Sequence, residues 1–150
     1  MTDLLSVAAL LGAGLVGGVM FAVAISIAPA LGVMTPGAYI HAHKLLGRNW
    51  DPAMPVIVLT SFALDVVLAV TAPTAAPTAL FAAAAVALVG VSVVSHLCNV
   101  PINKRMRDVD PSAVPSDWDD PRPVWRRWHL LRTALAVLAL ALNASAVVAT

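Results

Sequence analysis

Four stretches of this 150-residue chain are long and apolar enough to cross a membrane, and they leave little room for any other architecture. A spanning helix needs roughly 20 mostly apolar residues. Residues of about 4–31, 54–71, 78–98 and 130–149 each supply them. Sixty per cent of the chain is apolar and 11% is charged, against about 25% charged in an average soluble domain. So few charges would not cover a water-soluble globule, and they exclude a disordered chain or a nucleic-acid binder. The expectation is an all-α protein: one transmembrane domain over 1–150, an integral membrane four-helix bundle running up-down-up-down, with the lipid bilayer as partner. The opening Met1-Thr2-Asp3 has no positive charge, and the apolar stretch behind it is too long for a signal peptide.

The linkers set the topology. Ala72-Pro73-Thr74-Ala75-Ala76-Pro77 is short and uncharged, so spans two and three are antiparallel neighbours. The linkers 32–53 and 99–129 are polar and are expected as loops. Together with Arg132, which opens the fourth span, they hold all nine Lys and Arg. Four spans put both long linkers at one end, and the positive-inside rule makes that end cytoplasmic, with both termini outside the cytoplasm. The single cysteine, Cys98, allows no intramolecular disulfide and no Cys-based zinc site. Gly14 and Gly18 form a small-xxx-small pair, for packing inside the bundle or for a homo-oligomer.

Ionisable and polar residues inside spans are expensive and mark candidate sites. Asp65 lies some 16 Å into the second span, counting about 1.5 Å per residue, and Asn143 lies at similar depth in the fourth. Both are expected at the bundle centre, as a polar clasp or in proton handling. The third span ends with Ser92, Ser95, His96, Asn99 and Asn103, and Pro101 is expected to loosen the helix there. Trp125, Trp128, His129 and Arg132 are spaced i, i+3, i+4, i+7, one stripe that Asn143 continues. The tryptophans alone would suit an interfacial belt, which does not account for a His and an Arg beside them. His41 and His43, at i and i+2, do not share a helical face and suit the interface; Asp51 follows them. The topology carries all four histidines to the same mouth of the bundle.

Asn99-Val100-Pro101-Ile102-Asn103, followed by Trp125-x-x-Trp128-His129-x-x-Arg132-Thr133, resembles the anthrone-oxygenase-like family of small four-span membrane proteins. The layout matches over the whole chain, the specific motifs only over these two segments. The resemblance implies oxidation of an anthrone-like aromatic polyketide by dioxygen as co-substrate, with no cofactor and no metal. It carries over Asn99, Asn103, Trp125, Trp128, His129 and Arg132 as site residues. The chemistry needs a base, an oxyanion partner and flat apolar walls. His129 or His96 suits the base. Arg132 suits the oxyanion, and Trp125 and Trp128 suit stacking on a hydrophobic aromatic small molecule. Asn99 and Asn103 suit its carbonyl or hydroxyl groups, while Asp65 and Asn143 stay structural.

Two other classes fit the same residues. One is a metal- or haem-dependent membrane oxidoreductase using His96 and His129, with His41 or His43. The other is a non-enzymatic protein that binds a small molecule or assists assembly. A channel or transporter fits less well, because one polar mouth is not a continuous polar path.

Overall fold

The computed structural model describes residues 2–150, with the side chains of Asn49 and Asp51 outside that description. Asp51, noted in the sequence, therefore falls outside the described side chains. The chain forms α1 (Thr2–Ala22), a π turn (Val23–Ile27), α2 (Ala28–Gly32), α3 (Pro36–Thr71) and α4 (Ala75–Val94). A second π turn (Ser95–Asn99), α5 (Val100–Asp108) and α6 (Arg122–Val148) complete it. Helix α1 packs on α3 and α6, and α4 packs on the same two, so neighbours run antiparallel around a four-helix ring. Four helical stretches are long and apolar enough to cross a membrane: Thr2–Gly32, Pro52–Thr71, Ala75–Asp108 and Arg122–Val148.

Both polar linkers are more helical than expected. Residues 36–53, inside the expected loop 32–53, are the first half of α3. Thr35 in an extended conformation and Pro36 in the first turn start that helix, and Tyr39-Ile40 on its buried side pack with Leu31 and Met106. Of the expected loop 99–129, Val100–Asp108 and the segment from Arg122 onward are helical, leaving 109–121 as the connection.

Both π turns share a local setting, although α3 takes in Pro52 and Pro55 without such a turn. Each ends two residues before a proline, Pro29 and Pro101. A proline inside an α-helix lacks the N–H for the carbonyl four residues back, and its ring collides with that carbonyl. Widening the preceding turn relieves the collision. Ala28 N–H reaches back five residues to Val23 O, and Val100 N–H reaches five back to Ser95 O. The helix therefore loosens near Asn99, as the sequence suggests, by widening into a π turn and then continuing.

Close approach occurs at glycines other than the Gly14/Gly18 pair. A Cβ on Gly18 would meet nothing within 4 Å, and one on Gly14 only Leu140 at 4.0 Å. A Cβ on Gly17 would lie 3.6 Å from the Ala136 carbonyl oxygen. Gly12 leaves space for the Ser61 hydroxyl, and Gly37 lets the Pro111 carbonyl of the connection cross the start of α3.

A clamp fixes that connection. Arg122 donates to the carbonyls of Leu31 (3.2 Å), Gly32 (3.4 Å) and Met34 (2.7 Å), capping the end of α2. Cations are favourable at that pole of the helix dipole. Asp120 pairs with Arg122 at 2.7 Å, and the hydrogen bond from Arg122 holds the carboxyl below the usual carboxylate range. The Arg122 guanidinium also lies over the rings of Tyr39 and Trp118. Burial, and then the Asp120 charge, push the Tyr39 phenol up to about 12, so it stays neutral.

At the other end of the bundle, Asn143 Nδ2 donates to Asp65 Oδ2 at 3.2 Å, with both residues fully buried. The pair crosses from α6 to α3, as the sequence predicts. Asn143 also donates to Ala139 O, 3.1 Å away. The two deletions should therefore differ. Asp65→Leu leaves the amide its Ala139 bond, whereas Asn143→Leu strands a buried carboxyl. Asn143→Leu should destabilise the bundle by about 1–2 kcal/mol, the upper range of interhelical hydrogen bonds in membranes. Asp65→Leu should cost less, as read by unfolding in mixed micelles.

Candidate functional site

A cavity of about 870 Å³ opens among α1–α2, the first half of α3, the α4–α5 junction and the start of α6. That volume suits a drug-sized organic molecule (roughly 300–1,000 Å³ is usual). Trp125 organises one wall. Asn99 Nδ2 donates to the Trp125 carbonyl at 3.1 Å, and Trp125 Nε1 donates to Asn103 Oδ1 at 2.9 Å. The asparagines of the Asn-x-Pro-x-Asn segment thus grip one tryptophan twice, by its backbone and by its indole. The π turn brings this about: Asn99 is its last residue and is fully buried. Asn103 lies one helical turn on and faces the cavity.

The Trp125 indole stacks on His129, with centroids 4.9 Å apart and planes 5° from parallel. His129 is 1% exposed, and both ring nitrogens have partners. Nε2 lies 3.0 Å from the Met20 carbonyl oxygen, which can only accept, so Nε2 carries the proton. Arg132 Nε–H donates to Nδ1 at 3.0 Å, so Nδ1 is the unprotonated nitrogen. Arg132 also donates to Ser95 Oγ at 3.3 Å and lies 5.7 Å above the Trp125 ring, within cation–π reach. Three elements therefore set the direction of one guanidinium at the cavity wall: the π turn through Ser95, α1 through Met20 and His129, and α6 itself. Thr133 closes the same layer, donating to the His129 carbonyl at 2.8 Å.

His96 has the opposite arrangement. Its Nδ1 lies 3.0 Å from the Ser92 carbonyl one turn back, so Nδ1 carries the proton and Nε2 has the lone pair. His96 is exposed and lines the cavity.

The sequence-predicted residues separate into three groups. Trp125, His129, Arg132, Asn103 and His96 gather at the cavity, directly or through one partner. Asn99 packs behind the wall as a brace. Trp128 is 38% exposed on the outer side of α6 and is not among the cavity walls. Its place at the span end is that of the aromatic belt. His41 is exposed and also stays out of the walls.

His43 is the residue that sequence reasoning undervalued. It lies 3.2 Å from Asn103 Oδ1, edge-on to Trp125 at 5.9 Å and 5.4 Å from Tyr39. The signal was present: on a helix, Tyr39 and His43 are i and i+4 and share a face, which the loop reading concealed. Among the described residues, no three His, Cys, Asp or Glu side chains converge as a metal-binding group. His96 and His129, considered as metal or haem ligands, turn toward carbonyls of different helices.

The His129 contacts generate a stability prediction. His129→Phe keeps the stacking face but leaves the Met20 carbonyl only the longer Thr133 hydroxyl bond from α6 and takes the acceptor away from the Arg132 Nε–H. It should destabilise the protein by about 1–3 kcal/mol. His129→Gln can donate and accept at once and should recover part of the loss in thermal unfolding.

The anthrone oxygenase family model matches residues 43–142, two thirds of the chain, and the chain belongs to that family. No curated protein and no solved structure matches it.

Proposed function

We propose that this member of the anthrone oxygenase family oxidises an anthrone-like aromatic, with dioxygen as co-substrate, in the cavity beside Trp125. The observation that carries the reading is a guanidinium, Arg132, buttressed at the wall of an organic-sized cavity that His96 also lines. An anthrone has an acidic methylene opposite a ring carbonyl. His96 Nε2 takes a methylene proton, and the negative charge delocalises onto the carbonyl oxygen. Arg132 stabilises that oxyanion, in geometry fixed before substrate arrives. His129 is a positioning residue here. Its Nδ1 already accepts from Arg132, so using it as the base would release the group that stabilises the anion.

The carbanion is electron-rich enough to reduce dioxygen directly and form a carbon–oxygen bond. Protonation by His96 gives the hydroperoxide, which loses water and becomes the second carbonyl. One oxygen atom enters the product and the other leaves as water. The methylene carbon gives up four electrons and dioxygen takes them, so no further reductant, metal or haem is needed. In this reading Asn103, held by Trp125 and His43, presents its amide to a substrate carbonyl or hydroxyl.

The site lies at the end that holds all nine Lys and Arg, and we assign that end to the cytoplasm. In a Cys98→Ala background, a cysteine at Asp117 should resist an impermeant reagent added to intact cells, and one at Ala75 should react. The reverse pattern inverts the assignment.

Activity is tested with purified protein in nanodiscs and 1,8-dihydroxyanthrone, following oxygen uptake and quinone absorbance. Wild type should consume one dioxygen per quinone. His96→Ala should lower the rate roughly 10²–10⁴-fold, the range for general acid–base catalysis, with a smaller loss at higher pH, where hydroxide ionises the substrate. Arg132→Lys should remain impaired, because a point charge replaces a planar fork. Uptake no faster than the uncatalysed reaction would overturn the reading. An unaffected His96→Ala would remove His96 as base.

A further inference from the structure

Among the described side chains, the charges that line the cavity are all positive. Lys44, Arg48, Lys104, Arg107 and Arg132 line it, and no acidic residue does among the described side chains. Arg132 belongs to the inner layer with Met20 and His129. The other four lie further out. Lys104 follows Ser95 by nine residues, roughly 13 Å along a helix axis at about 1.5 Å per residue. Arg48 precedes Val58, an inner wall residue of α3, by ten. Beside Arg132 and His129, the inner walls include an apolar side: Met20, Val58 and Val91 belong to the bundle's hydrophobic core.

Cations at a membrane boundary commonly serve lipid headgroups. Arg48, Lys104 and Arg107 are exposed, as are Arg105, Arg126 and Arg127, which stay out of the cavity walls. The inward set differs in what it faces. Lys44 uses one N–H on the Val109 carbonyl at 2.8 Å and has two more. Arg48 and Lys104 make no hydrogen bond or ion pair with the described residues. Cations that line one cavity attract an anion that enters it. An apolar chamber with a cationic rim fits a molecule that is flat and greasy at one end and permanently charged at the other.

We propose that the substrate of this cavity is an aromatic acid: a fused-ring body with a carboxylate, or an equivalent fixed anion, at the end remote from the reacting carbon. The ring system occupies the apolar chamber beside Trp125 and Arg132, and Arg48 and Lys104 hold the anion at the rim. This assignment rests on the reading of the cavity as the oxidation site, and it restricts that site to acids within the wider class of polycyclic aromatics.

Binding of non-reacting product analogues separates the two claims. The protein is placed in phosphatidylcholine nanodiscs, and anthraquinone-2-carboxylate and its primary amide are titrated by quenching of tryptophan fluorescence. The acid should bind about tenfold tighter or more, the worth of one charge-assisted hydrogen bond. The preference should shrink in about 1 M salt, where screening acts within roughly 3 Å. Arg48→Gln with Lys104→Gln should remove most of the preference, and Arg48→Lys with Lys104→Arg should retain it. Equal affinities for acid and amide would overturn the proposal, as would a preference that survives the double Gln variant. Loss of acid binding when phosphatidylglycerol is added to the discs would give these cations to lipid headgroups and also overturn it. If neither ligand binds, this proposal and the oxidation reading fall together. If the acid binds but no anthrone is oxidised, only the oxidation reading falls.

Discussion

A buried imidazole has two nitrogens to satisfy, and in this bundle the way they are satisfied determines the site. His129 donates to the Met20 carbonyl of α1 and accepts from Arg132 of its own helix. A group that could not donate to Met20 would leave only the longer Thr133 hydroxyl bond from α6, at 3.4 Å, to that carbonyl of α1. A doubly protonated ring would have no lone pair for Arg132 and would place a second positive charge beside it. The direction of the guanidinium therefore depends on one neutral ring, which also adds a hydrogen bond to the contact between α1 and α6. Trp125 keeps that ring in plane by stacking, and Asn99 and Asn103 keep Trp125 in place. The two sequence motifs are the two sides of a single clasp.

That explains how much of the molecule was legible. Spans and topology follow from apolar length alone. The Asp65–Asn143 pair follows from the cost of leaving either polar group in lipid. The stripe on α6 follows from spacing, but spacing did not separate Trp125 from Trp128. At about 100° per residue, Trp128 stands roughly 60° to one side of Trp125 and His129 roughly 40° to the other. Only the packing of α1 and α4 on either side decides which tryptophan is enclosed. His43 was missed for a different reason. Polar composition suggested a loop at 32–53, yet Pro36 fixes a first helical turn and Tyr39 and Ile40 supply a buried face. Tertiary burial outweighed composition.

The prolines show how local rules become site geometry. Pro29 and Pro101 sit in different helices, yet the same widening precedes each, whereas α3 takes in Pro52 and Pro55 without one. One widened turn follows Met20 by three residues, and the other contains Ser95 and Asn99. Regular helices would rotate those groups relative to Trp125 and His129, because each π turn adds a residue to the register. The connection 109–121 matters for a related reason: Arg122 ties the start of α6 to the end of α2, holding the cavity's two sides together.

The two histidines are oriented oppositely: His129 accepts from Arg132 at Nδ1, whereas His96 donates from Nδ1 to Ser92 and leaves Nε2 bare. Nitrogen-15 NMR of histidine-labelled protein in nanodiscs reads this arrangement directly at neutral pH. Opposite neutral tautomers are expected: His129 protonated on Nε2 with Nδ1 bare, and His96 protonated on Nδ1 with Nε2 bare. The same tautomer at both positions, or a doubly protonated His129, would contradict that arrangement.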